Sequence, residues 1–512
     1  MNRLLIKEQA VPVVRVRPLL QPIHVTLCVA MSAAVVAWSA GIITGAHWNL
    51  LAEFLFFLSV YGIASAHFLL SRLKRGQFRL FDVPVFLTIL GFVQFGLAPF
   101  MSFLDPGLNT FRGDDGLLVR ALVYFMLGMS AMWFGARIVA TRTAISGRTP
   151  ESGNQPGPYQ VAPLPRAGVL FIIGVVAKVY LLKSNLYSYT ESEHAFFSSL
   201  GFLEFLWTAA DLSFCALLVT AIECFKPDSD PTRKAFFWTI FLFECVWGMI
   251  SGMKYLLLRN FVYVALVSSY VEGKVRKAWI VAPFLSLIAI YPFSDAYRNV
   301  VRARVQVSSL AEAQDASRLA LSESLKDESD VGGWVQSGWR RTMHRLNLLE
   351  SMSSVMQLGP RAQRLEGEER WWMIPIYPFV PRLLWPNKPF LNKAQRLSIL
   401  LGLGSQTSTA LTYPGDLYVE FGLPGILLGM FLLGLAGQWL ANRVGGLSAD
   451  RHLLVYAVTF MVAANLENDT FLLWVSVIKT MVVMTLVAWL IYGPSPNSAV
   501  TLFLKRISRQ RS

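Results

Sequence analysis

The sequence predicts an all-α, polytopic membrane protein of about twelve transmembrane helices, and three observations predict it. Hydrophobic residues make up 54% of the 512-residue chain and charged residues only 15%, where soluble domains carry about a quarter charged. Mostly apolar runs recur at the roughly twenty-residue length that crosses a bilayer as a helix. Short loops rich in Lys and Arg alternate with acidic or neutral ones, the pattern of loops on two sides of a membrane. The mean hydropathy of +0.47 agrees. A net charge of +14 then reads as anchoring loops rather than a nucleic-acid-binding surface.

Segment 1–24 begins MNRLLIKEQAVPVVRVRPLL. It is basic and has no compact signal-peptide hydrophobic region, so it reads as a cytoplasmic lead-in. Spans are expected within 25–294 at Val25 to Gly45, Leu50 to Leu70, Asp82 to Leu104, Leu117 to Val139 and Ala167 to Leu182. They continue at Gly201 to Ile222, Ala235 to Ser251, Leu256 to Val271 and Ala278 to Tyr297. After a long interruption, 414–492 supplies Leu423 to Leu440, His452 to Leu466 and Phe471 to Tyr492, and a basic tail, 493–512, ends the chain. Cys28, Cys215, Cys224 and Cys245 fall in or at the ends of apolar runs without metal-ligand spacing, and read as packing residues.

Orientation follows from where short loops keep their cations. Basic residues fall in the lead-in, in SRLKRGQFR after the second span, at Arg137, Arg142, Arg148 and Arg166 after the fourth, and at Lys226, Arg233 and Lys234 after the sixth. EGKVRK follows the eighth, Arg443 the tenth, and the tail reads KRISRQRS. The intervening loops LDPGLNTFRGDDG, KSNLYSYTESEHAFF and LENDT are acidic or nearly neutral. Both termini are therefore expected in the cytoplasm.

Segment 295–413 is then extracytoplasmic and is the soluble stretch large enough to fold. It holds about fifteen Lys and Arg residues, against the charge pattern, although long loops translocate largely regardless of charge. Arg341 and Arg345 are four apart on an expected helix, GWVQSGWRRTMHRLNLLESMSSVM, sharing a face with Trp334 and Leu348. WWMIPIYPF looks like a segment lying among headgroups, where Trp and Tyr prefer to sit. In VPRLLWPNKP, prolines flank Arg382 and Lys388 and would hold both cations on a stiff backbone. Cations so placed suit a lipid-anchored anion, because Arg forks match phosphate oxygens and Lys adds a point charge. The alternative is a solvated loop with scattered cations.

The motifs RLNLLESM, IPIYPFVPRLLWPNKP and TYPGDLYVEFGLPGILLGMFLLG follow one another between about Arg345 and Gly437. This run resembles the Wzy-type polysaccharide polymerases, the oligosaccharide repeat unit polymerases. The resemblance implies a metal-independent, GT-C-like glycosyltransferase of a bacterial inner membrane, working without a cofactor. Its donor would be a growing glycan on undecaprenyl diphosphate and its acceptor another lipid-linked repeat unit. A chain-length regulator (polysaccharide co-polymerase) and a flippase would be its protein partners, and nucleic acid would not.

Breaking the anomeric C–O bond puts negative charge on a diphosphate, which without a divalent metal falls to Arg and Lys to stabilise. Arg382 and Lys388 are expected to hold that diphosphate, with Arg341 and Arg345 as further candidates. Lys254, in SGMKYLLL, stands where related proteins carry Arg and joins them. The acceptor hydroxyl needs a base. Asp416 and Glu420, in TYPGDLYVEFG, share a face if a helix begins there. Asp416 matches the family pattern and Glu420 falls where the family varies. Both would also serve as N-terminal charge complementing a helix dipole. His344, beside Arg345, is the rival base. Glu204 and Asp211 lie within the sixth expected span, where charges point to function. An O-antigen ligase uses the same donor, while a transporter or flippase of lipid-linked sugars would line a midplane path with charge. A non-catalytic export scaffold would need no base.

Overall fold

An apolar segment away from water must satisfy its own amides, and a helix does so within the segment. The computed structural model describes residues 49–493 apart from 106–114, 146–163, 185–199, 252–253, 304–309, 328–330, 366, 368, 381–383, 386, 390, 392, 404–408 and 446–449. Among the described residues every regular element is helical. The chain begins with α1 (Asn49–Lys74), α2 (Val83–Phe92), a π-turn (Val93–Leu97), α3 (Ala98–Leu104) and α4 (Asp115–Ile145). It continues as α5 (Leu164–Lys183), α6 (Leu200–Ala210), α7 (Leu212–Cys224), α8 (Pro231–Ile250), α9 (Lys254–Glu272) and α10 (Lys277–Ala303). The long interruption holds α11 (Leu310–Asp327), α12 (Val331–Leu346), α13 (Leu348–Leu358) and α14 (Lys393–Leu400). The last helices are α15 (Tyr413–Gly445), α16 (Asp450–Ala463) and α17 (Thr470–Tyr492).

Among the described residues, seven stretches are long and apolar enough to cross a membrane: Leu50–Lys74, Val83–Leu104, Gly116–Ala140, Leu164–Lys183, Phe205–Cys224, Tyr413–Asn442 and Thr470–Tyr492. The chain is thus a helical protein of the membrane kind. The expected spans at Ala235 to Ser251, Leu256 to Val271, Ala278 to Tyr297 and His452 to Leu466 are also helices, α8, α9, α10 and α16. Val25 to Gly45 lies outside the described residues.

Three details differ from the sequence reading. The sixth expected span is two helices, interrupted at Asp211, whose carboxylate pairs with Arg259 of α9 at 3.2 Å. The expected helix through GWVQSGWRRTMHRLNLLESMSSVM breaks at Asn347, because that side chain accepts the Glu350 N–H at 3.2 Å and starts α13 afresh. Leu348 therefore leaves the Arg341 face, and it is buried with Leu349 and Met352 in the main core. Lastly, α10 continues past Asp295 to Ala303.

The packing centre is α4 against α15. A Cβ built at Gly434 would stand 2.1 Å from the Met132 carbonyl oxygen, and one at Gly135 would stand 2.4 Å from that of Phe431. Only hydrogen fits between these backbones, as at small-residue seams of membrane helices. Around the seam, Phe95 and Phe125 stack at 3.8 Å, both wholly buried. Ion pairs fasten the two ends of the bundle. At one end Lys226 lies 2.6 Å from Glu223 and 2.7 Å from Asp450, joining α7 to α16. At the other, Arg340 of α12 meets Asp105 at 2.7 Å and Arg345 meets Glu467 at 2.7 Å. Between them, Lys178 and Glu244 form a buried pair at 2.6 Å that Ser213 joins with its hydroxyl.

Gly434→Val should lower the thermal unfolding midpoint of the detergent-purified protein through a cost of about 2–3 kcal/mol. Gly168→Ala, whose Cβ would meet only the Phe236 ring at 3.9 Å, should leave it unchanged.

Candidate functional site

The chain reverses at Gly422. Its φ of 64° and ψ of −153° suit glycine, Pro424 follows, and α15 is thereby two helical pieces. The short piece folds back along the start of the long one. The Tyr413 hydroxyl donates to the Gly429 carbonyl at 3.0 Å. A Cβ at Gly425 would fall 2.6 Å from the Leu417 carbonyl oxygen, and one at Gly429 would fall 2.4 Å from the Leu417 side chain. The two acids of GDLYVEFG thus ride on a short helix held tightly in place.

The start of that helix is also fixed. Thr412 has a φ of 65°, a left-handed conformation that costs a non-glycine residue roughly 1 kcal/mol. Its N–H donates to the Glu467 carbonyl at 3.3 Å, and the Tyr413 N–H donates to that of Leu466 at 2.9 Å. The Thr412 hydroxyl accepts the Gly415 N–H at 3.1 Å. This link ties the helix to the segment that leads into α17.

At its centre is an ammonium. Lys393, the first residue of α14, places Nζ 3.1 Å from Asp416 Oδ1 and 2.6 Å from Glu420 Oε1. Asp416 is only 1% exposed, and its Oδ2 also accepts the Thr470 N–H at 2.9 Å. Glu420 lies nearer the rim, where its Oε2 accepts the Trp371 indole N–H at 2.6 Å. Burial alone would discharge the Lys393 ammonium, but Asp416 and then Glu420 outweigh it and hold it above the ordinary lysine range. Asp469 caps α17, accepting the Leu472 N–H at 2.8 Å. Burial first, and then the negative charge of Asp416, push its carboxyl up to about 6. Beside this group Arg396 bonds Glu369 and the Leu365 carbonyl, fastening α14 to the preceding segment.

The proline-rich stretch packs against the same place. Lys388 is buried, with Nζ 4.2 Å from the centre of the Tyr377 ring. The Tyr377 hydroxyl donates to the Pro389 carbonyl at 2.7 Å, and its ring meets Phe471 of α17 edge-on at 5.3 Å. Phe471 is the residue after Thr470, so the Tyr377 ring that faces Lys388 packs one residue from the amide that holds Asp416. Trp371, Trp372, Ile376, Phe379 and Leu384 expose their apolar faces around it.

The structure thus brings Asp416 and Glu420 together on Lys393, and Lys388 is linked to the same end of α17 through the Tyr377 ring. Arg345 reaches the margin through Glu467, two residues before Asp469. Arg341 is half-buried and His344 is exposed, both on α12. Lys254 opens α9, and Arg382 lies outside the described residues. Sequence reasoning did not find Lys393, Asp469 or Trp371. The available signal was a cation in NKAQR close after the proline-rich stretch and an acid directly before an apolar run, at an N-cap position.

One family model matches residues 173–493, more than half of the chain. The chain belongs to that family, described as Domain of unknown function (DUF8712). No curated protein and no solved structure matches it. The family match opens within α5 and closes at the end of α17, so Lys388, Lys393, Asp416, Glu420 and Asp469 all fall inside it.

Lys393→Met should leave two close carboxylates without their cation and cost about 3–5 kcal/mol in thermal or denaturant unfolding. Adding Asp416→Asn to that variant should recover part of the loss. The Asp469 carboxyl, pushed up to about 6, titrates above the ordinary aspartate value of about 3.9. The folded chain therefore binds its proton more tightly than the unfolded one. The stability this proton contributes is complete below about pH 4 and is lost as pH rises through about 6. Melting curves from pH 4 to pH 7 should show this decline in the parent and a shallower one in Asp469→Asn.

Proposed function

We propose that the chain is a membrane glycosyltransferase that polymerises undecaprenyl-diphosphate-linked oligosaccharide repeat units on the outer face of a bacterial inner membrane. The observation that carries this reading is the Lys393–Asp416–Glu420 group, seated on the first turn of α17, with Lys388 of the proline-rich stretch linked to the same turn through Tyr377. At 23 residues, α17 is about 34 Å long, slightly more than the roughly 30 Å hydrocarbon layer. Its first turn then lies at the edge of that layer, where the diphosphate of a polyprenyl lipid also lies. The exposed Trp371 and Trp372 suit the same level.

The chemistry divides among these residues. An acceptor hydroxyl gives its proton to the Asp416–Glu420 pair as its oxygen attacks the anomeric carbon of the donor. The bond from that carbon to the diphosphate oxygen breaks, and its electrons leave with the diphosphate. Lys388 and Arg382 stabilise the charge that develops there. Lys393 bridges the two neighbouring acids and orients them, which positions the base before substrate arrives. The reading carries with it about twelve spans, both termini in the cytoplasm and the segment 295–413 outside. It also implies a chain-length regulator and a flippase as partners.

Purified protein given lipid-diphosphate oligosaccharide should lengthen it. Hydrolysis, transfer to a different lipid acceptor, or transport alone would each yield a different product and would replace the reading. Arg382→Ala should abolish extension at near-normal protein abundance, and Arg382→Lys should recover little because a point charge cannot reproduce the fork. Asp416→Asn should slow turnover by about 10²–10⁴, while His344→Ala, on an exposed side chain, stays within a few-fold. Normal extension by Asp416→Asn with loss in His344→Ala would reverse the assignment of the base. Sidedness has its own test: a cysteine replacing the exposed Ser322 of α11 should react with an impermeant thiol reagent in intact spheroplasts.

A further inference from the structure

A groove of about 570 Å³ opens between α1 and α4, away from the site above and outside the span that the family model matches. One wall is a single face of α1, from Val60 through Ile63, Ala64 and His67 to Arg72, with Arg75 in the turn just past the helix end, and the other runs along α4 from Trp133 to Ala140. Its upper walls are apolar, with Phe134 61% exposed beside it. Its lower end gathers Arg72, Arg75 and Arg137, and no acid is among the described residues that line it. Arg72 is buried there, bonded to Gln438 and 3.8 Å from Asp82 behind the wall, whereas Arg75 and Arg137 are exposed at the mouth.

The dimensions select the class of ligand. From Val60 to Arg75 the face is about 22 Å long, enough for one acyl chain within a leaflet of roughly 15 Å plus the headgroup beyond it. Among the seven apolar stretches of the described residues, the one on α1 is the least buried, at 17% of its most apolar window, as suits a helix bordering lipid. An apolar trough ending in cations complements an amphiphile with a negative head, and basic pockets between membrane helices take anionic headgroups. A zwitterionic lipid brings its own ammonium to the same arginines and lacks the complementarity.

We propose that this groove holds an anionic phospholipid, its phosphate between Arg75 and Arg137 and one acyl chain along Val60, Ile63, Ala64 and Phe134. The inference needs only the bilayer setting and is independent of the catalytic reading.

The test uses the full chain in mixed micelles of phosphatidylglycerol and phosphatidylcholine at equal content, with bound lipid counted by native mass spectrometry. The parent should retain phosphatidylglycerol in preference to phosphatidylcholine. Arg75→Gln with Arg137→Gln should reduce that retention roughly tenfold, and since both side chains are exposed the fold should be unaffected. Ala64→Trp, which fills the trough and keeps every charge, should reduce it as well. Equal retention of the two lipids, or unchanged retention in the double variant, would overturn the proposal. Retention lost in the double variant but kept in Ala64→Trp would reduce the site to general surface attraction and overturn the groove. A cysteine at Ala64 that cross-links to residues 1–48 of the same chain, or to a second copy, would assign the trough to protein and overturn it too.

Discussion

A single ammonium inside an apolar bundle sets the terms for the loop end of this structure. Lys393 is nearly buried, and it remains charged because two carboxylates from the short limb of α15 lie within 3.1 Å of it. Breaking one partner of such a group costs far more than forming it contributes. The group therefore acts as a constraint on position rather than as a source of stability. It joins α14, at the end of a long and partly irregular segment, to a helix that is itself wedged against α17. The Tyr377–Phe471 and Trp371–Glu420 contacts follow from that anchorage. So does the burial of Lys388, whose charge is accommodated by an aromatic face.

The two ends of the bundle use charge differently. Where Glu223, Lys226 and Asp450 meet, the acids and the cation satisfy one another between helices, and burial raises the Asp450 carboxyl above its usual range despite Lys226. At the loop end, Arg340 and Arg345 are also committed to acids. Several of the cations that make segment 295–413 so basic thus secure helices.

Much of this was legible in the sequence, and what was not has a common cause. Apolar runs of membrane length gave the helices, because a low-dielectric setting leaves the backbone little choice. The i, i+4 spacing of Asp416 and Glu420 showed a shared face, and that face is where Lys393 binds both. The breaks at Asp211 and Asn347 were missed because the apolar pattern runs on through them; at Asn347 a single polar side chain restarts the helix, whereas at Asp211 the carboxylate turns to Arg259 without capping the helix that follows. Lys393 and Asp469 were missed because their partners lie far along the chain. Nothing local to NKAQR or to ENDTF tells which acid or amide will close around it. The reversal at Gly422 was written in FGLPG, but a long apolar helix reads the same whether or not its first turns double back.

That reversal restricts how the chain can change in length. Surface connections usually absorb inserted residues at small cost. Between Thr412 and Gly422 the backbone is fixed at both ends, by the left-handed residue at one and the turn at the other. One residue added or removed there would rotate Glu420 by about 100° around the helix and carry it away from Lys393. Chains that share this architecture are thus expected to differ in length in almost any loop but this one, and to keep the interval from Thr412 to Gly422 to the residue.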